Sequence, residues 1–285
     1  MKHKKHHSDG EFHHKHSLGQ NFIEDEGLLE RLAELSLAEA DDVVLEVGPG
    51  FGALTKPLAA RAKQVVSLEI DKTLLPILRV VLESYPNAQV VHGDVMKTDL
   101  AQLVNEHFPE GCSLRVAANL PYYITTEVLT KFLFELPQAK SIAVMIQKEV
   151  GDKLLCGPGD DGYGPLSIFC QYYCTVQRAL DVPAACFNPP PKVDSSFMVL
   201  ERRPVPFAPV LDEKLFIRLV KGAFMMRRKT LVNNLIASFS LSRQRAETCM
   251  DTCGLPLTSR AEELSIEQFA ALSDAIHAAM KMETA

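Results

Sequence analysis

The chain has 285 residues, 47% of them hydrophobic and 23% charged, with a formal net charge of -6. That length and apolar content suffice to bury a sizeable core, as one large domain or two unequal ones. No apolar run approaches the roughly 20 residues of a membrane span, and no apolar stretch follows the N-terminal lysines and histidines, which excludes a secretory signal of the usual kind and makes the cytoplasm the expected location. Residues 1–16 hold six of the nine histidines (His3, His6, His7, His13, His14 and His16) interleaved with lysine, which reads as a flexible basic tail rather than a metal site. Asp25 is a candidate N-cap for a helix with Leu28, Leu29, Leu32 and Leu35 on one stripe. From Asp42 onward short β-branched runs alternate with helical patterns, with strands expected at 43–47, 64–70, 89–92, 114–118 and 142–146 and a helix beginning after Gly52.

Two further strand-like runs, 174–180 and 195–201, flank the turn Asn188-Pro189-Pro190-Pro191 and read as an antiparallel pair closing the sheet. After Arg202-Arg203-Pro204-Val205-Pro206 the pattern is helical, at 213–225, 229–239, 242–253 and 266–280. The expected fold is therefore a doubly wound α/β sheet, mostly parallel with an antiparallel last strand, followed by a small helical domain. The boundaries are 17–205 for the α/β domain and 206–285 for the helical one. Seven cysteines, an odd number in a chain too long to need staples, fit reduced thiols. Cys170/Cys174 and Cys249/Cys253 have the spacing to share helix faces, yet no second pair completes a tetrahedral set, and no metal is expected.

Leu45-Glu46-Val47-Gly48-Pro49-Gly50-Phe51-Gly52 places glycines at alternate positions where a strand ends and a helix begins, so that backbone can approach a ligand closely. A dinucleotide fingerprint would set its third glycine one residue later, which argues against a nicotinamide dehydrogenase. The spacing resembles instead the cofactor loop of methyltransferases. By itself it is also compatible with a tight turn that binds nothing. Glu69 closes the second strand, where a carboxylate can accept both hydroxyl protons of a ribose, and Asp94 follows the third, where it can accept from an adenine amine. Either acid alone could be a solvated loop charge; together with Gly48 and Gly50 they fall at the carboxyl ends of adjacent strands, the crevice in which such sheets bind ligands.

Asn119-Leu120-Pro121-Tyr122 follows the fourth strand into the same crevice. The lone pair of an adenine exocyclic amine is delocalised into the ring, so the amine is a poor nucleophile until its hydrogens are held and the nitrogen is drawn toward tetrahedral geometry. The Asn119 side-chain carbonyl and the Leu120 main-chain carbonyl can each accept one of those hydrogens. Pro121 stiffens the turn, and Tyr122 offers a face for the base. Attack on a sulfonium methyl is an in-line displacement that needs alignment more than a strong base. The bland alternative is an Asn-x-Pro turn with a core tyrosine.

A net charge of -6 argues against non-specific nucleic-acid binding by the whole surface, but charge is unevenly placed. From Lys214 to Ala246 no acidic residue occurs, while Arg218, Lys221, Arg227, Arg228 and Lys229 are among eight cations there. A basic face on an acidic protein is the footprint of a nucleic-acid-binding module.

With these residues in place, the sequence resembles the ribosomal RNA adenine N(6),N(6)-dimethyltransferase family from about Lys15 to about Leu272. The blocks that carry the resemblance are Leu18-Gly19-Gln20-Asn21-Phe22, the glycine loop, Asn119–Tyr122, Phe187-Asn188-Pro189-Pro190-Pro191-Lys192-Val193-Asp194-Ser195 and Arg227-Arg228-Lys229-Thr230-Leu231. The resemblance implies S-adenosyl-L-methionine as cofactor, with Asn21, Ile23, Gly48, Glu69, Asp94 and Asn119 beside it, and Phe187 stacking on a flipped adenine opposite Tyr122. It further implies dimethylation of two adjacent adenosines near the 3′ end of small-subunit rRNA, in a pre-30S ribosomal particle, by a monomer. Ile23 departs from the family's usual leucine, and Asp160 and Asp161 stand in a glycine-rich segment where relatives carry small or basic residues. The alternatives are a large-subunit rRNA methyltransferase of the antibiotic-resistance type and a non-catalytic ribosome-assembly or transcription factor on the same fold.

Overall fold

The computed structural model describes residues 21–284, with side chains for residues 21–281. The basic tail of residues 1–16 and Leu18–Gln20 of the first block lie outside the described residues. A two-residue strand β1 (Phe22–Ile23) leads into helix α1 (Glu26–Leu35), and the Asp25 carboxylate caps that helix by accepting from the Leu28 N–H at 2.8 Å. The alternating part follows as β2 (Asp42–Val47), α2 (Thr55–Arg61), β3 (Gln64–Glu69), α3 (Leu75–Val81), β4 (Ala88–His92), α4 (Leu100–His107), β5 (Ser113–Asn119), α5 (Thr125–Glu135) and β6 (Ser141–Gln147). Helices α6 (Lys148–Leu155) and α7 (Pro165–Tyr173) precede β7 (Cys174–Val182), β8 (Phe187–Asn188) and β9 (Ser195–Arg202).

Seven strands make one sheet in the order β4-β3-β2-β5-β6-β9-β7. The first five are mutually parallel, and β9 runs antiparallel to both β6 and β7, so the last strand in the chain is the one that reverses. It does so inside the sheet, with β7 at the edge. Strand β2 is buried at all six positions, as expected of a central parallel strand covered on both faces. The period of two divides its side chains: Val43, Leu45 and Val47 face one core, Val44 the other.

The second of these cores is closed by α1 and α2 through Leu29, Leu32, Ala33 and Leu58. The first continues past the sheet through Phe132, Phe169 and Tyr172 into the C-terminal helices α8 (Glu213–Ala223), α9 (Leu231–Phe239), α10 (Arg243–Thr252) and α11 (Ile266–Thr284), where Phe216, Phe269 and Ile276 belong to the same cluster. Tyr172 stacks on Phe216 with ring centroids 4.4 Å apart. The helical region is thus seated on the sheet's own core.

Several local expectations change. Ile70 lies outside β3, because Asp71 N–H bonds back to Glu69 Oε1 at 2.7 Å and turns the chain. Cys170 and Cys174 do not share a helix face: α7 stops at Tyr173 and Cys174 opens β7, whose backbone is claimed by β9. Cys249 lies in α10 with Cys253 as its C-cap, and among the described residues no group of potential metal ligands occurs. The basic run Arg227–Lys229 is not the start of a helix. Helix α8 ends at Ala223, and the buried Asn234 side chain accepts the Met226 N–H at 3.0 Å, holding a turn until Leu231.

At the amino ends of the strands, Arg115 on β5 pairs with the buried Asp42 on β2 at 2.9 Å, and Ser113 bonds the same carboxylate. Removing one partner strands a buried charge. Arg115→Met is expected to lose about 3 kcal/mol of unfolding free energy in urea titrations at neutral pH, and the double replacement of Asp42 and Arg115 by apolar residues to lose less.

Candidate active site

Strand parity decides which side chains meet at the carboxyl ends of the sheet. Val44 on β2, Val65 on β3 and Ala117 on β5 all face the α1/α2 core, so Glu46, Ser67, Glu69 and Asn119, each displaced by an even number of residues, project to that same face. Above them the chain leaves β2 through Gly48, Gly50 and Gly52, all with positive φ (76°, 59° and 79°). Residues with a Cβ are strained in that region. Gly50 has a second reason: a Cβ there would lie 2.7 Å from the Phe22 ring, which covers the turn.

One cavity lies beneath this turn. Asn21, Ile23, Gly48, Gly50, Glu69, Asn119, Leu120, Pro121 and Tyr122, expected from the sequence to act together, all line it. Glu69, 3% exposed, accepts the Gly50 N–H on Oε2 at 3.2 Å and the Asp71 N–H on Oε1 at 2.7 Å. Burial raises its pKa against those two hydrogen bonds. Each carboxylate oxygen keeps a further lone pair, so the glutamate can still receive a hydroxyl pair.

Asn119 gives its amide nitrogen to the main-chain carbonyl of Asn21 at 3.2 Å. This bond orients the group and leaves the side-chain oxygen as its acceptor. Leu120 is fixed by its N–H on the Met145 carbonyl of β6 at 3.1 Å. The Tyr122 hydroxyl lies 2.6 Å from Ser195 Oγ at the start of β9, and burial raises its pKa, so the phenol stays neutral. Asn119-Leu120-Pro121-Tyr122 is therefore held at both ends.

Asp94 and Phe187 make contacts of their own outside this lining. Asp94 does not line the cavity; its carboxylate accepts the Met96 N–H at 2.9 Å and meets Lys97 Nζ at 3.4 Å. Phe187 is 4% exposed and belongs to the α1/α2 core, paired across the small β1/β8 ladder with Ile23. The expected RNA-binding residues Arg218, Lys221, Arg227, Arg228 and Lys229 are all exposed. The Arg218 guanidinium also lies over the Phe239 ring at 4.6 Å and donates to the Ser238 carbonyl, joining α8 to α9.

Glu46 is the member that sequence reasoning passed over. It lines the cavity at 2% exposure, and Oε2 accepts from both Thr55 and Ser67 hydroxyls at 2.6 Å. Burial, assisted by the neighbouring Glu69 and opposed by the two hydroxyls, pushes its pKa up to about 7. A carboxylate inside the otherwise apolar run Val43–Val47 was the available signal, since a buried polar residue is more informative than an exposed apolar one.

The geometry can be set beside known proteins. Residues 11–278 match the family model described as ribosomal RNA adenine dimethylase. The chain is 45% identical over 268 residues to the ribosomal RNA small subunit methyltransferase A of Bacillus cereus (strain B4264), covering 93% of this chain and 92% of that one. The protein of the same name from Bacillus cytotoxicus is 44% identical over the same shares. Among solved structures, a dimethyladenosine transferase from Plasmodium falciparum aligns with a TM-score of 0.70 at 26% identity, over 88% of this chain and 95% of that one. The 23S rRNA methyltransferase ErmE aligns with a TM-score of 0.68 at 27% identity, over 90% and 100%.

An unfolded glutamate titrates near 4.5 and the folded Glu46 near 7, so folding takes up a proton between these values. The contribution of Glu46 to stability is therefore full below pH 4.5, falls as the pH rises through 7 and stays low above it. In Glu46→Gln the neutral amide removes that loss. The variant's unfolding free energy, relative to wild type, is expected to be higher at pH 8 than at pH 5 by on the order of 3 kcal/mol in parallel denaturant titrations.

Proposed function

Because the chain belongs to the ribosomal RNA adenine dimethylase family, we propose that it dimethylates the exocyclic amines of two adjacent adenosines near the 3′ end of small-subunit rRNA, with S-adenosyl-L-methionine as methyl donor. The observation that carries this reading is Asn119 with its amide nitrogen bound to Asn21, its oxygen left to accept, and the motif held against β6 and β9. The lining suits the donor's chemistry: Gly48 and Gly50 present backbone to the cavity, and Glu69 offers a carboxylate for a ribose diol. When bound, S-adenosyl-L-methionine supplies a methyl group on a sulfonium. Asn21, Ile23, Gly48, Gly50, Glu69, Asp94 and Asn119 hold it in this reading, Asp94 with the lone pairs that its bond to Met96 leaves over.

The protein's part is alignment. The Asn119 oxygen and the Leu120 main-chain carbonyl take the two amine hydrogens, which withdraws the nitrogen lone pair from the ring and points it along the line of displacement. Pro121 fixes the turn, and Tyr122, neutral and bonded to Ser195, offers its face to the extruded base. Phe187 is the opposing aromatic in this scheme, and its burial beside Ile23 makes that contact conditional on a local opening of the β1/β8 pair.

In the same reading residues 17–205 form the catalytic domain and 206–285 the RNA-binding helical domain, with Arg218, Lys221, Arg227, Arg228 and Lys229 on phosphates. The protein acts in the cytoplasm as a monomer on the pre-30S particle. Among the described residues no helix is long and apolar enough to cross a membrane. Identity of 45% to relatives named for the small subunit, against 27% to ErmE, favours the small-subunit target over the large.

Undermethylated small subunits incubated with the protein and methyl-labelled cofactor are expected to yield dimethyladenosine, mapped to two adjacent positions near the 3′ end. Asn119→Ala is expected to lower transfer on the order of 10²–10³-fold. Undiminished transfer by that variant would sink the role given to Asn119, and label confined to large-subunit rRNA would move the target.

A further inference from the structure

A groove of about 470 Å³, separate from the cavity above, is lined by Thr126 on α5, Lys153 on α6, Asp161 and Gly164 before α7, Lys221 on α8 and Arg227 beyond it. Three cations thus converge, from α6, from α8 and from the turn that follows α8. The Lys153 ammonium is paired with Glu149 at 2.6 Å, the Lys221 ammonium lies 5.5 Å from the centre of the Phe134 ring, and the Arg227 side chain is exposed. The first turn of α7 adds the positive end of a nine-residue helix. Beneath these groups the groove has a rigid floor, since Tyr163 is buried and its hydroxyl donates to the Leu264 carbonyl at 3.0 Å.

The position matters as much as the charge. Thr126 follows Tyr122 by four residues, across the one short turn (Tyr122–Ile124) that leads into α5. A nucleotide adjoining one whose base rests on Tyr122 therefore comes within reach of the groove. Besides Glu149, already paired with Lys153, one carboxylate lines the groove, Asp161. Its neighbour Asp160 is occupied locally, accepting the Gly157 N–H at 2.8 Å, whereas Asp161 makes no hydrogen bond or ion pair to any described residue.

We propose that this groove holds a backbone phosphate of the RNA strand beside the target adenosine, with Lys153 as a positioning residue, and that Asp161 weakens the hold in this chain. The proposal rests on the reaction proposed above. Phosphate contacts of this kind set the register of a strand without reading its sequence, and two adjacent targets require the strand to be re-registered by one nucleotide between them. A modest grip, lessened by one carboxylate, suits a strand that must shift.

The test is binding of undermethylated small subunits, and of protein-free small-subunit rRNA, across a salt series. Lys153→Gln is expected to weaken binding on the order of threefold and to reduce the slope of log affinity against log salt by about one, with Lys153→Arg restoring both. Asp161→Asn is expected to tighten binding by a similar factor, a gain that misfolding does not produce. Cofactor affinity by calorimetry is expected to stay at the wild-type value in all three. Unchanged affinities and slopes in Lys153→Gln and Asp161→Asn overturn the groove assignment while leaving the reaction intact. Shifted slopes with no methyl transfer by the wild-type protein do the reverse. Effects seen with intact subunits and absent with protein-free rRNA overturn the assignment too, because the occupant is then a protein segment.

Discussion

The cavity exists because the chain leaves β2 through three residues with positive φ, and the turn so made is held from below by one carboxylate. Glu69 binds the Gly50 N–H, and its other oxygen binds Asp71, so a single side chain sets both the roof of the cavity and the end of β3. Phe22 rests where a Cβ of residue 50 would otherwise be. Through the neighbouring Asn21 carbonyl the same segment orients Asn119. Cofactor loop, ribose acceptor and amine acceptor are therefore one mechanical unit, although they come from β1, β2, β3 and β5.

Much of this was legible from local pattern. The alternating runs mark the parallel strands within one or two residues, Asp25 caps α1 as its position demands, and the reversal of β9 follows from the turn at Asn188–Pro191. Glycines at alternate positions, with Glu69 and Asn119 at adjacent strand ends, indicate the crevice because strand topology brings carboxyl ends together. The family of blocks around them was equally visible, since those residues are set by chemistry rather than by packing alone.

What escaped depends on partners far away in the chain. No periodicity announces a two-residue strand, so β1 and β8 emerge only when Ile23 meets Phe187. The contacts of Arg218 with Phe239 and Ser238 are likewise set by the fold and not by its neighbours in sequence. Whether Arg227–Lys229 is helix or turn hinges on Asn234 reaching back to Met226. Glu46 is a different case: its neighbours in sequence are apolar, and the hydroxyls that make its burial tolerable, Thr55 and Ser67, belong to other elements.

The place of β9 has a consequence for the order in which the molecule can be built. Strand β6 ends at Gln147 and meets its outer neighbour only when residues 195–202 arrive, and β7, made earlier, joins the sheet solely through that late strand. During synthesis the edge of β6 waits for about 55 further residues, roughly 3–11 s at ordinary translation rates. Ile142, Val144 and Ile146, buried in the finished protein, belong to that waiting strand. A nascent chain of this protein thus carries an apolar, unpaired strand edge for seconds, the kind of exposed template that chaperones cover.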